Sequence, residues 1–416
     1  MDAAGLFVVF VLVLVLVTVA AHVFRVPPFF ALVGGALLFG LLSGLGLDAT
    51  IREIVDGVGR VFGAFGILIL SGAVIAKALE SGGGIDEIAA DMRRRIRDPV
   101  ATAGLLGYLL AVPLTCCITA YVLLVPVVSA LGGRAGGRSG LLYVVALGSV
   151  ASYVLVYPTP VTLPLAAAFL DRGTVLLYAA VAVPLSLLTV LLLVLSARHR
   201  AGVTRKPPRG TESGGHPIHA RAWLPFGVIV ASAGAGFLAG VSHLSLVNLA
   251  MLAGAASSLA LAPSAERHTA GLAGAKHAGV IIFDLVGAGA IGSVVVASGI
   301  VNEALASMTG LLPVLLVPFL LAALVQTVQG SRVVTAVIAA ELLSGTPVAA
   351  AVDPVSLVLM VGAGTCVVSY VTDPFFWLVQ RTTGDTPLQV VRWYTVPLAA
   401  VGVLTLLAAI LVQVLL

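Results

Sequence analysis

Arg332 and Asp373 are charged residues set in stretches that otherwise hold only apolar and small polar side chains, QTVQGSRVVT (Gln326 to Thr335) and SYVTDPFFW (Ser369 to Trp377). A charge at the centre of a membrane helix costs about 2.5–3.5 kcal/mol on insertion scales, so each calls for a partner or a task. The planar fork of an arginine suits a carboxylate, which makes Arg332 a candidate anion ligand and leaves Asp373 to titrate or to orient a ligand. The alternative is that the two residues pair with each other as structural glue and leave any ligand to hydroxyls and backbone groups. Their neighbours Gln326, Gln329, Gly330, Ser331, Thr335, Ser369 and Thr372 complete the candidate set on this side. Two earlier interruptions of the same kind, PLTCCITAY (Pro113 to Tyr121) and SYVLVYPTP (Ser152 to Pro160), add Thr115, Cys116, Thr119, Ser152 and Thr159. Asp284, in FDLVGAGAIG, is with Asp373 a candidate proton site, or else a surface residue at a helix end.

Proline or glycine beside Ser, Thr or Asp within an apolar run frees backbone groups that hydrocarbon cannot satisfy. Such breaks persist only where protein buries them or a water-filled cavity receives them. Helix ends at a break offer N–H groups to anions and carbonyls to cations. The elements that must position these residues follow from composition. The 416 residues are 60% hydrophobic and 10% charged, with a mean hydropathy of +1.15, which excludes a water-soluble domain and describes an all-α polytopic membrane protein. Apolar runs of about 20 residues, enough to cross roughly 30 Å of hydrocarbon, recur from Leu6 almost to the C-terminus. The first of them follows an aspartate rather than a basic region and is long, so it reads as a retained helix and not a signal peptide. The net charge of +4 comes from short loops, so it reports topology and not a nucleic-acid partner. Cys116, Cys117 and Cys366 lack metal-ligand spacing and His neighbours, so neither metal, disulfide nor other cofactor is expected.

A basic segment from Arg198 to Arg221 divides the chain near its midpoint, and the halves repeat one another. Ser81-Gly82 recurs at Ser298-Gly299 and Ser152-Tyr-Val at Ser369-Tyr-Val, both at an offset of 217, and Thr119-Ala recurs at Thr335-Ala at 216. The expected units are a repeat over 1–197, a linker over 198–222 and a second repeat over 223–416. Basic loops at Arg93 to Arg97, Arg134 and Arg138, the linker, Arg267 and Lys276, and Arg381 and Arg392 are placed in the cytoplasm by the positive-inside rule. The chain therefore leaves and re-enters the same side between Asp98 and Gly133, as a re-entrant hairpin. Its counterpart from Leu311 to Leu343 has no basic flank and should enter from outside. Each half then has about five crossings, one hairpin and a broken helix, and the second half is inverted, with both termini extracytoplasmic. Inverted repeats with broken helices are a recurrent secondary-transporter design that holds substrate near the membrane midplane. The chain carries no HExxH, GxSxG or paired metal-binding carboxylates, so an enzyme is not expected, and the glycines of GAGAIG, with no preceding strand, read as close helix packing.

Three second-half segments carry a resemblance: VGAGAIGSVVVASGIVNEAL (Val286 to Leu305), QTVQGSRVVTA (Gln326 to Ala336) and GAGTCVVSYVTDPFFWLV (Gly362 to Val379). With AVPLTCCITAYVLLVPVV and YPTP in the first half, they resemble the gluconate permease family, proton symporters of gluconate and related hydroxy acids within the ion transporter superfamily. Gln329, Gly330, Ser331, Asp373 and Trp377 match the family pattern. Departures are Gln326, where the family has arginine; Arg332, where it has a small residue; Thr372-Asp373-Pro374-Phe375 in place of Asn-Asp-Ser-Gly; and Thr115-Cys116-Cys117 after Pro-Leu. The resemblance implies alternating access with paired hairpins at the substrate site, an elevator-like movement and a homodimer.

The expectation is therefore an inner-membrane symporter that moves a small organic anion such as gluconate together with H+, or with Na+. An exporter, or a carrier of a zwitterion such as a D-amino acid, is the alternative on the same fold.

Overall fold

The structure, a computed structural model, describes residues 3–96, 98–131, 135–200, 218–299, 313–370 and 372–415, and every regular element among them is helical. The first half holds α1 (Ala3–His22), α2 (Pro28–Leu42), α3 (Leu47–Ser81), α4 (Gly84–Arg95), α5 (Pro99–Ala111), α6 (Cys117–Leu131), α7 (Ala135–Leu155), α8 (Thr162–Phe169) and α9 (Arg172–Arg200). The second holds α10 (Ala220–Leu238), α11 (His243–Leu261), α12 (Arg267–Ala297), α13 (Val317–Gln329), α14 (Arg332–Leu343), α15 (Pro347–Ala351), α16 (Pro354–Val367), α17 (Pro374–Thr383), α18 (Pro387–Val390) and α19 (Val396–Leu415). Among the described residues seven spans are long and apolar enough to cross a membrane, α3, α7, α9, α10, α11, α12 and the run from α18 through α19. Most of the linker, 201–217, lies outside the described residues, and its flanking helices reach into it, α9 to Arg200 and α10 from Ala220.

Three pairs of helices have bounds close to the sequence offset. A step of 217 carries α1 onto 220–239, where α10 spans Ala220–Leu238, and α3 onto 264–298, where α12 spans Arg267–Ala297. The same step carries α5 onto 316–328, where α13 spans Val317–Gln329.

All four polar stretches interrupt helices. The first separates α5 from α6 through a turn at Thr115, whose φ of 51° is left-handed, and the third separates α13 from α14 at Gly330, with φ +79°. The second and fourth separate α7 from α8 and α16 from α17. New helices start where a side chain replaces the missing intrahelical acceptor. Ser331 accepts from the Val334 amide at 3.4 Å, and Asp373 accepts from the Phe375 amide at 2.9 Å with Pro374 at the first helical position.

Two groups of helices pack side by side. One is built of α1 to α3 with α10 to α12, the other of α5 to α9 with the second hairpin, α16, α17 and α19. Small residues set the spacing within each group, since lipid offers no hydrophobic drive for helix association and close contact replaces it. Between α3 and α12, a Cβ on Gly57 would sit 2.3 Å from the Gly289 carbonyl oxygen, and one on Gly289 would sit 2.7 Å from that of Gly57. The glycines of GAGAIG thus serve helix packing. Gly57→Val is expected to cost about 1–3 kcal/mol through overpacking, read as a lower Tm in detergent. Gly59→Val, where a Cβ meets nothing within 4 Å, should leave Tm unchanged.

The halves are also tied outside the spans. α4 buries Ile85, Ile88, Ala89 and Met92 and carries Arg93, Arg94 and Arg95 in its last turn. Its Asp91 accepts from the His219 backbone amide at 2.9 Å and from Trp223 Nε1 at 3.1 Å, and meets His219 Nδ1 at 2.9 Å. Burial pushes the Asp91 carboxyl up, but these hydrogen bonds outweigh it and hold the group below its ordinary value.

Candidate functional site

The two hairpin tips and the break before α17 meet around one cavity of about 330 Å³ at the junction of the two helix groups. The first hairpin contributes Cys116, Cys117, Ile118 and Thr119; the second contributes Gln329, Gly330, Ser331 and Arg332; and the α17 break contributes Asp373, Pro374 and Phe375. Facing them are Val17 and Thr18 of α1 and one face of α12 with His277, Val280, Ile281 and Asp284. Positions i, i+3, i+4 and i+7 of a helix share a side, which is why these four face the cavity together.

Arg332 is 5% exposed and Asp373 2%. They pair, with Arg332 Nη2 3.0 Å from Asp373 Oδ2, and the same nitrogen donates to Ser369 Oγ at 3.0 Å and to the Tyr394 hydroxyl at 3.3 Å. Ser369 in turn donates to Asp373 Oδ2. Both charges are therefore compensated inside the protein, as the structural-glue alternative expects, yet Arg332 also lines the cavity and its Nε is buried with no partner among the described residues. The pair spans the second hairpin and the fourth break, and two further contacts fasten the same junction. Gly330 packs on the Thr372 carbonyl, and Thr372 Oγ1 donates to the Thr327 carbonyl at 3.0 Å.

Helix polarity adds to the electrostatics. α6, α14 and α17 all begin at the cavity, so the positive ends of three helix dipoles point at it. They are not equivalent. Pro374 has no N–H and the Phe375 amide is taken by Asp373, so α17 is sealed at this end. α6 and α14 begin with Cys117-Ile118 and Arg332-Val333, whose amides have no intrahelical acceptor. The cavity is thus provided with N–H donors chiefly from the two hairpin tips.

Of the residues singled out from sequence, Cys116, Thr119, Gln329, Gly330, Ser331, Arg332, Asp373 and Asp284 line the cavity. The rest lie behind it. Thr115 packs against Gly72 of α3, where a Cβ would stand 2.3 Å from its hydroxyl. Ser152 donates to the Ser149 carbonyl at 3.2 Å, and Thr159 donates to the Tyr153 carbonyl at 2.7 Å, closing the α7 break on itself. Thr335 donates to Gln326 Oε1 at 3.0 Å across the second hairpin, and Ser369 serves the ion pair. Thr18, Tyr153 and His277 also line the cavity without having been singled out as site residues, and His277, which lies within α12 and not at its end, has its Nε2 2.8 Å from Thr119 Oγ1. For His277 a signal existed, since it stands two helical turns before Asp284 on the same face.

The geometry has counterparts in known proteins. The sequence profile described as GntP family permease matches residues 4–225 and 264–415. The chain is 29% identical to an uncharacterized permease of Haemophilus influenzae over 89% of this chain and 84% of that one. It is 28% identical to the gluconate permease of Pseudomonas aeruginosa over 86% of each. Its fold is similar to the crystal structure of the YdaH transporter of Alcanivorax borkumensis, with a TM-score of 0.57, 18% identity and 89% of both chains covered.

Proposed function

The chain belongs to the GntP permease family and is a multi-pass membrane transporter, and from that premise we propose that it carries a gluconate-like organic anion across the inner membrane by ion-coupled symport and alternating access. The observation that carries the substrate class is the cavity itself. Two hairpin tips with helix N-termini and one arginine border a space of about 330 Å³, at the small end of ligand pockets, which run from about 300 to 1,000 Å³. A carboxylate would sit against the amides of Cys117-Ile118 and Arg332-Val333, with the guanidinium of Arg332 held in orientation by Asp373. The hydroxyls of Thr119 and Ser331 and the amide of Gln329 suit a hydroxylated carbon chain. Beside Arg332 a zwitterion is less well served, because Asp373, the carboxylate there, is already bonded to it. The relative named gluconate permease supports the same substrate class.

The reading includes the sidedness argued from the basic loops, with the linker cytoplasmic, both termini outside and the second half, 223–416, inverted with respect to 1–197. The junction between the two helix groups is where one group would move against the other, and the homodimer of elevator-type carriers is part of the same proposal. In proteoliposomes, gluconate is expected to accumulate when the outside is made acidic, to be inhibited by related sugar acids, and to be indifferent to D-serine. Inhibition by D-serine with none by gluconate overturns the substrate class.

A further inference from the structure

We propose that Asp284 carries the coupling proton and that proton and anion are linked through the like charge they would otherwise share in one cavity; this rests on the symport reading above. The choice comes from the partners of each group. Among the carboxyl, imidazole and guanidinium groups lining the cavity, Arg332 and Asp373 are bonded to each other and to Ser369, and His277 is bonded to Thr119. Protonating Asp373 would undo the ion pair, the Ser369 bond and the cap of α17 together. Asp284 has no hydrogen bond or ion pair among the described residues, and it faces the cavity from α12. Its carboxyl can gain and lose a proton without dismantling a wall of the site.

Among the described residues the other ionisable groups along α12 sit nearer its two ends. On its own helix His277 lies about 10 Å nearer one end, where Lys77 and Glu80 of α3 act on it. Toward the other end of α12, Glu53 of α3 accepts from Ser293 at 2.8 Å, and Glu341 of α14 pairs with Arg60 at 3.2 Å. Tyr153 of α7 and the thiols of Cys116 and Cys117 share the cavity, α1 and α2 contribute no ionisable side chain to it, and α11 carries none beyond His243. Asp284 stands on the helix group opposite the hairpins, so it meets the anion across the cavity and not as one of its ligands.

The coupling then follows from linkage. With Asp284 ionised, an entering carboxylate meets a like charge in a space walled largely by apolar groups, and each charge disfavours the other. Protonation forms an O–H bond on the Asp284 carboxyl and removes the repulsion, so bound proton raises anion affinity and bound anion raises proton affinity by the same factor. When the anion leaves on the far side, the O–H bond breaks and the proton passes to water. One proton thus accompanies one carboxylate.

Asp284→Asn, a neutral isostere, separates the two steps. Gluconate counterflow, which needs no proton gradient, is expected to persist, while accumulation driven by an acidic exterior falls at least about tenfold, within the usual range of coupling. Gluconate affinity, read by thermal shift of the purified protein, should weaken with rising pH in the wild type and stay flat in Asp284→Asn, and Asp284→Glu should restore the pH dependence. Asp284→Asn that still accumulates gluconate under the pH gradient, or a wild type driven by a sodium gradient alone, overturns the assignment. Wild-type protein without gluconate counterflow overturns the substrate reading and this assignment with it. A variant that loses counterflow as well marks Asp284 as a ligand and equally defeats the proposal.

Discussion

Arg332→Ala is expected to abolish gluconate uptake and to destabilise the protein by about 3–5 kcal/mol, the range for breaking a buried ion pair from one side. The magnitude follows from what is left behind. Asp373 is 2% exposed and would keep a charge with only Ser369 and the Phe375 amide to satisfy it. Asp373→Asn is expected to be nearly as damaging, because it leaves the guanidinium of Arg332 buried without a countercharge. The double variant Arg332→Met with Asp373→Asn distinguishes the two roles the pair can have. It should recover most of the stability, since two uncharged side chains replace a compensated pair, and it should not recover uptake. Recovery of both, measured as Tm and as proteoliposome uptake, would falsify a substrate role for Arg332 and leave the pair as structural glue.

Gly330→Ala is the second large effect. Gly330 has φ +79°, where an L side chain costs about 1–2 kcal/mol, and a Cβ there would stand 1.9 Å from the Thr372 carbonyl oxygen. No rotamer relieves that approach, because the obstacle is backbone. The tip of the second hairpin must shift away from the α17 break, and with it Ser331, Arg332 and the free amides at the start of α14. Uptake is expected to fall to roughly a tenth or less, with a stability loss of about 2 kcal/mol or more from strain and overpacking together. Gly345→Ala serves as the control. Its φ is +70° and a Cβ there meets nothing within 4 Å, so it carries the strain without the clash. Equal losses in the two variants would show that the close approach at Thr372 is unimportant.

Both results bear on how much of the site can be read from a chain of letters. Proline, glycine and small polar residues inside apolar runs marked all four helix breaks, because the backbone rule they obey is local. The offset of 217 likewise reappears in the bounds of α1 and α10, α3 and α12, and α5 and α13. Side-chain direction was less accessible. Thr115 and Cys116 are chain neighbours in the same turn, yet Thr115 packs on Gly72 of α3 while Cys116 faces the cavity. Gln326 and Thr335 satisfy each other across the hairpin, a pairing that appears only once the chain has turned back at Gly330.

The sequence by itself therefore determined the membrane class and the places where helices stop, since hydropathy, backbone hydrogen bonding and turn chemistry act over a few residues. Only the tertiary structure decided that Arg332 and Asp373 compensate each other, that Asp284 faces the cavity with no partner among the described residues, and that His277 meets Thr119. Those outcomes depend on which faces of distant helices come together, and close packing of glycines such as Gly57 and Gly289 sets that geometry. The charges stayed ambiguous in the sequence for the same reason. In hydrocarbon a charge must find a partner, and whether that partner is protein or substrate depends on a distance of a few ångströms between segments 41 positions apart in the chain.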